Sequence, residues 1–168
     1  WSYPSPDMRT KYYWPLTESA QTARAEWDIV DNYATRCEPK GMPGSMITTN
    51  PFEFIDQGET IRVRGYELDI VRTVYMNNSM DPSAQSPSIQ GFSVGHWENE
   101  STLVIHTSRI NFPYLSTTGI PLSEAVEAIE RYTLSEDQTR LDFHFSITDP
   151  ETFTEPATYE YYWLALGE

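Results

Sequence analysis

The most constraining feature of this chain is a two-residue alternation of side-chain character, broken by short polar loops. It is clearest at residues 91–110, GFSVGHWENESTLVIHTSRI. Phe92, Val94 and His96 alternate with Ser93, Gly95 and Trp97, and a polar turn follows at Glu98, Asn99, Glu100 and Ser101. Leu103, Ile105 and Thr107 then alternate with Val104, His106 and Ser108. Successive side chains of a strand point to opposite faces, so this pattern predicts a β-hairpin. Residues 141–147 repeat it, with Leu141, Phe143, Phe145 and Ile147 on one face and Asp142, His144 and Ser146 on the other.

Further strands are expected at 52–55, 60–66, 68–76, 125–134 and 158–166, around turns at Asp56-Gln57-Gly58-Glu59, at 77–90 and at Glu136-Asp137-Gln138. The stretch 125–134 is ambiguous, since SEAVEAIE could also begin a helix, but the meander around it favours a strand. Residues 35–51 hold three prolines and two glycines and cannot form one regular element. Residues 111–124 are also expected to be irregular. The best helix lies at 17–31, with Thr17 as N-cap, Trp27 and Val30 as anchors to the sheet, and an end at Asp31-Asn32. Residues 1–16 carry three prolines and five aromatics without periodicity, and read as an extended arm ahead of one domain at 17–168. Such an arm either packs on its own domain or docks on a neighbour.

About eight strands in sequential hairpins tend to roll or close, because closure removes exposed edges. The expected fold is therefore mostly β, an antiparallel meander closing into a lipocalin-like barrel or half-barrel, with one N-terminal helix plugging an end. A β-sandwich is the alternative. The length of 168 residues fits one domain with a real core, and eleven Tyr and seven Phe make that core aromatic.

Charge narrows the partners. Eleven basic against twenty-five acidic residues give a net charge of −14. This argues against nucleic acid, which demands a basic footprint, and against docking on anionic membrane. No apolar run of about 18 residues is present, so no membrane-inserting helix is expected. The lone Cys37 forbids an internal disulfide and makes a cysteine-based zinc site unexpected. No signal peptide is visible, and the start at Trp1 rather than Met reads as a processed or excised segment.

Several segments resemble a family of uncharacterised secreted bacterial proteins. They are RCEPKGMP at 36–43, PFEFIDQGETI at 51–61, VRTVYM at 71–76, GFSVGHWENESTLVIHT at 91–107, and the long run at 108–163 in which TGIP, SEA, ER, TDP and FTEP follow in order. The resemblance covers most of the chain after residue 30. It implies a secreted or periplasmic bacterial protein whose relatives often carry a preceding N-terminal domain. It implies no reaction. Relatives usually carry Arg where His96 stands, and Asp, Glu or Thr where His106 stands, and His144 is not a family position either. The three histidines are thus local variation.

Several residue sets carry chemistry. His96, His106 and His144 would make a three-histidine metal site if neighbouring strands brought them together, although no metal is expected. Glu67 and Asp69 share a strand face and could act as paired carboxylates, with Arg72 on the opposite parity. Trp97 and Arg109 could line a barrel mouth that grips an anionic or aromatic ligand, and Arg109, Glu130 and Arg131 recur in the family segments. Ser93 lies in a literal G-x-S-x-G, but inside a hairpin rather than a strand-to-helix elbow. No phosphate loop or dinucleotide fingerprint occurs, so no cofactor is expected. Two sequons, at Asn77 and Asn99, fall in expected loops.

The expected function is a secreted, non-catalytic β domain acting by binding or assembly. Ligand-binding candidates are Trp97, Arg109, His106, His144, Glu67 and Asp69, for a small apolar ligand. Assembly candidates are Trp1, Tyr3, Tyr12, Tyr13 and Trp14, through self-association or contact with another secreted protein. The alternative is a lipocalin-like lyase, isomerase or hydrolase with a polar cluster inside the barrel.

Overall fold

A computed structural model of the chain describes residues 1, 11–48, 50–67, 70–77 and 80–166. In chain order the elements are β1 (Lys11–Tyr13), α1 (Glu18–Glu26), β2 (Phe52–Asp56), β3 (Thr60–Gly65), β4 (Val71–Tyr75), β5 (Phe92–Asn99), β6 (Thr102–Ser108), β7 (Glu127–Leu134), β8 (Arg140–Thr148) and β9 (Ala157–Leu164). The strands form one sheet in the order β1-β9-β8-β7-β6-β5-β4-β3-β2. The mostly-β reading holds, and each strand expected from alternation is present within a few residues. The ambiguous stretch is the strand β7.

The inward rows explain why the sheet rolls. Leu103, Ile105 and Thr107 of β6 face across to Trp97, Gly95 and Ser93 on β5 and to Tyr132, Glu130 and Ala128 on β7. Leu141, Phe143, Phe145 and Ile147 of β8 pair with Trp163, Tyr161, Tyr159 and Ala157 of β9. All eight of these are buried. Rolling brings β2 across the inside onto β9 and β7: the Phe52 ring meets Trp163 at 4.4 Å between centroids, and Phe54 meets Tyr132 at 5.0 Å. Gly95 permits tight curvature at the β4–β5 seam, since a Cβ there would lie 2.8 Å from Val74 Cγ1 and 2.9 Å from Met76 Sδ. The result is a half-barrel; the sheet does not close into a full barrel.

The expected run of sequential hairpins breaks at one place. β4 and β5 are parallel, joined through only Val74↔Ser93 and Tyr75↔Val94. The polar connection after β4 is long enough to carry the chain back to the end where β4 began, so β5 runs alongside it.

The helix is shorter than expected. Thr17 caps it, its Oγ1 accepting from Ala20 N at 3.2 Å, but Trp27 is already extended. Asp28 Oδ1 then accepts from Val30 N at 3.0 Å and starts a separate 3-10 turn, a local competition that ends the helix early. Val30 is exposed, and Trp27 lies against Gly119 and Tyr114 rather than the sheet. Only Ala20 of α1 is buried, so α1 is no plug. That role falls to the irregular segment 33–48, where Tyr33, Met42 and Met46 enter the core and the Tyr161 hydroxyl donates to Met46 O and Thr48 O at 3.0 Å each.

The arm supplies a ninth strand that its aperiodic sequence did not signal. Lys11, Tyr12 and Tyr13 pair with Glu160, Tyr159 and Thr158 on the outer edge of β9. Trp14 stacks on Tyr159 at 6.2 Å. At the opposite edge of the sheet, Trp1 N donates to Phe52 O at 2.9 Å and Phe52 N donates to Trp1 O at 3.1 Å. Tyr3 lies outside the described residues. Among the described residues no helix is long and apolar enough to cross a membrane.

Because the arm contacts both edges, deleting residues 1–16 should destabilise the domain and leave the outer edges of β9 and β2 open. The expected outcome is a lower Tm with concentration-dependent association in light scattering. A truncated chain with unchanged Tm that stays monomeric would show that these pairings contribute nothing.

Candidate functional site

Two features occupy the inside of the half-barrel, a buried ion pair in its middle and an aromatic cavity at one end. The ion pair joins β4 to β7. Arg72 stands in the inward row with Ile70 and Val74, and Glu130 stands in the inward row with Ala128 and Tyr132. Arg72 Nη1 and Nη2 donate to Glu130 Oε2 and Oε1 at 2.5 and 3.0 Å, with side-chain exposures of 2% and 0%. The Tyr132 hydroxyl also donates to Glu130 Oε1, at 2.5 Å. Thr107 Oγ1 lies 3.5 Å from Arg72 Nη1 and shares a 2.9 Å hydrogen bond with Ser93 Oγ.

Burial alone would lower the Arg72 pKa, but Glu130 and Tyr132 outweigh it and hold the guanidinium above its ordinary value. Burial, then the Glu130 charge, pushes the Tyr132 phenol well above its usual range. Both carboxylate oxygens are taken, and the adjoining void is only about 10 Å³, the size of one water. The pair therefore locks two distant strands in register and leaves no room for a substrate. Its signal was present in the sequence: each of two apolar rows contained one charge, and the two signs were opposite.

The cavity has a volume of about 210 Å³ and opens between the β2–β3 and β5–β6 turns. Buried Leu103, Tyr132 and Leu141 lie at its base, and Trp1, Phe54 and Trp97 stand around it. Trp97 is inward by its pairing with Leu103, yet 58% exposed. A register shift between Trp97 and Asn99 places a bulge at the rim, a device that re-aims side chains. Asp56 and Glu100 line the mouth. Asp56 Oδ1 accepts from Gly58 N at 2.8 Å, where φ is 83°, and Asn99 Oδ1 accepts from Ser101 N at 2.9 Å, so each acid sits on a well-defined turn.

The sequence candidates are distributed rather than gathered. Trp97 and Arg109 do not share a mouth: Trp97 flanks the β5–β6 turn, while Arg109 follows Ser108 at the hairpin's other end, about 20 Å away along the strand. There Arg109 has φ 57° and its Nε donates to Gln85 O at 3.0 Å. All three histidines are exposed on the outer face. His96 and His144 lie in one row but are separated by Val104 and Arg131, three strand spacings or about 14 Å, far beyond a shared ion. His106 pairs instead with Glu127 at 3.2 Å, and His144 with Glu160 at 3.5 Å. Among the described residues no group of three metal-ligating side chains converges.

Glu67 sits apart, bonded to Lys40 Nζ at 3.3 Å and Thr48 Oγ1 at 3.1 Å. Asp69 lies outside the described residues. Glu67 falls in a bend ahead of β4, so no strand parity relates it to Arg72, which is buried with Val74. Tyr12 and Tyr13 are exposed, while Trp14 and Trp1 pack on the core.

No known family profile matches the chain, and no curated protein matches it.

The ion pair predicts a specific mutational pattern. Glu130→Gln leaves a buried guanidinium uncompensated and should cost about 3–5 kcal/mol, lowering Tm by about 10 °C. The triple change Arg72→Met, Glu130→Leu and Tyr132→Phe removes every partner together and should recover most of that loss in thermal melts. A neutral effect of Glu130→Gln would show that the pair does not hold the fold.

Glu67 predicts a pH effect. Burial would raise its pKa, but Lys40, Asn50 and Thr48 outweigh burial and hold it below the ordinary 4.5. A carboxylate with a depressed folded pKa adds stability above its unfolded value and loses it as pH falls through the folded one. Glu67→Gln should therefore lower Tm at pH 7, with the gap to the parent chain closing below about pH 4. A gap independent of pH would contradict this.

Proposed function

We propose that this chain is a secreted, non-catalytic β domain that acts by binding a small aromatic or apolar molecule in the cavity at the open end of its half-barrel. The observation that carries this reading is Trp97, a large aromatic kept more than half exposed at the rim of an apolar cavity. Exposing so much indole costs solvation unless something covers it. An apolar cavity of about 150 Å³ accommodates a benzene, so 210 Å³ suits one ring or a fused pair. Secretion is supported by the resemblance of segments 36–163 to secreted bacterial proteins.

Assembly is the second reading. β1 is held by three residue pairs, and Tyr12 and Tyr13 stay exposed on it, so exchange of this strand between copies is a short step. The enzyme reading is weaker. It needs a polar cluster open to substrate inside the barrel, whereas the Arg72–Glu130 cluster adjoins a void of only about 10 Å³, His106 and His144 stand outside, and Glu67 and Arg109 are held elsewhere.

Amide and indole N–H shifts during titration with small aromatic fragments test the binding reading. Shifts should centre on Trp97 and on residues 54–61 and 100–103. Trp97→Ala should weaken binding about tenfold with little change in Tm, because it removes an exposed side chain. Shifts confined to the Arg109 end, or unaffected by Trp97→Ala, would overturn it.

A further inference from the structure

We infer that the ligand of the cavity is an organic cation, an amine or quaternary ammonium carried on a one- or two-ring aromatic body. This rests on the binding reading above and adds the ligand's charge. The cavity joins two kinds of group that favour the same partner. Trp1, Phe54, Trp97 and Tyr132 line it, and the negative face of a ring attracts a cation as well as a neutral ring. Asp56 and Glu100 stand at the mouth, on the facing turns of β2–β3 and β5–β6.

Neither carboxylate has an ion-pair partner among the described residues. Elsewhere on the sheet surface, neighbouring acids do have basic partners. Glu53 faces Arg64, Glu98 faces Arg131, and Asp142 faces Arg140. Other surface acids, Glu59 and Asp137 among them, also have none; what sets Asp56 and Glu100 apart is that they line the aromatic cavity. Among the described residues no Lys, Arg or His side chain lines it. The net charge of −14 adds a long-range field that draws cations and repels anions. A ligand seated ring-inward against Tyr132 and Trp97 would place its charged end between Asp56 and Glu100.

A matched indole series separates charge from shape. Tryptamine is the cation, tryptophol the neutral analogue and indole-3-propionate the anion, each titrated calorimetrically into the full chain at pH 7 and low salt. Tryptamine should bind about five- to tenfold more tightly than tryptophol, with the propionate weakest. The double variant Asp56→Asn with Glu100→Gln should bring tryptamine down to the level of tryptophol and leave tryptophol unchanged. Asn keeps the acceptor that holds Gly58 N, so this variant should retain the parent Tm. Raising the salt should erode the tryptamine advantage alone. Equal binding of all three, or tightest binding of the propionate, would overturn the charge assignment and leave the cavity reading standing. Failure of all three to bind would overturn both.

Discussion

The buried pair of Arg72 and Glu130 is the interaction on which the interior is arranged. Its two members come from strands that are not neighbours, β4 and β7, so forming it requires the sheet to roll until their inward rows face. An apolar core alone would tolerate a slide of one strand pair against another. A bidentate guanidinium–carboxylate contact does not, since sliding strands two dehydrated charges. The seam most in need of such a lock is the β4–β5 junction, held by two residue pairs and lacking a hairpin turn. Arg72 sits on one side of that seam. Ser93 and Thr107 on the other side complete its polar surroundings.

Rolling also creates the cavity. Tyr132 belongs to both features: its hydroxyl fixes Glu130, and its ring forms part of the cavity base. The cavity is thus supported by packed strands rather than by loops alone, which favours a preformed shape. The two turns at its mouth add the acids. The interior therefore changes character along its length, from a dry charged centre to an aromatic end open to solvent.

Most of the fold was legible from alternation, because burial on one face of a sheet imposes a period of two on every strand that spans it. The runs at 91–110 and 141–147 carried that signal, and their inward residues are buried except Trp97 at the rim. β1 was not legible: three residues are too few for a period, and their pairing depends on a partner at the far end of the chain. The parallel β4–β5 step was hidden in a polar loop whose path no local pattern encodes. The site was half legible. Trp97 stood out as an aromatic beside a turn, whereas Arg109, past the far end of the same hairpin, does not share its mouth. Parity against the apolar row of β8 already places His144 outside, whereas His96 shares its row with Phe92 and Val94, so the pattern alone does not give its face. The Arg72–Glu130 pair is not legible as a pair, because its halves lie far apart in sequence and only topology joins them.

The arm's two attachments carry a consequence for the order in which the molecule is built. Lys11 pairs with Glu160, so the earliest strand must wait for the latest. During synthesis β2 through β8 can form while β1 has no partner, and the strand that will receive it has yet to emerge. Contacts of such long sequence separation form late and slowly. Until they do, the nascent sheet keeps an open border that a neighbouring copy could occupy. β1 is thus the last strand the sheet receives.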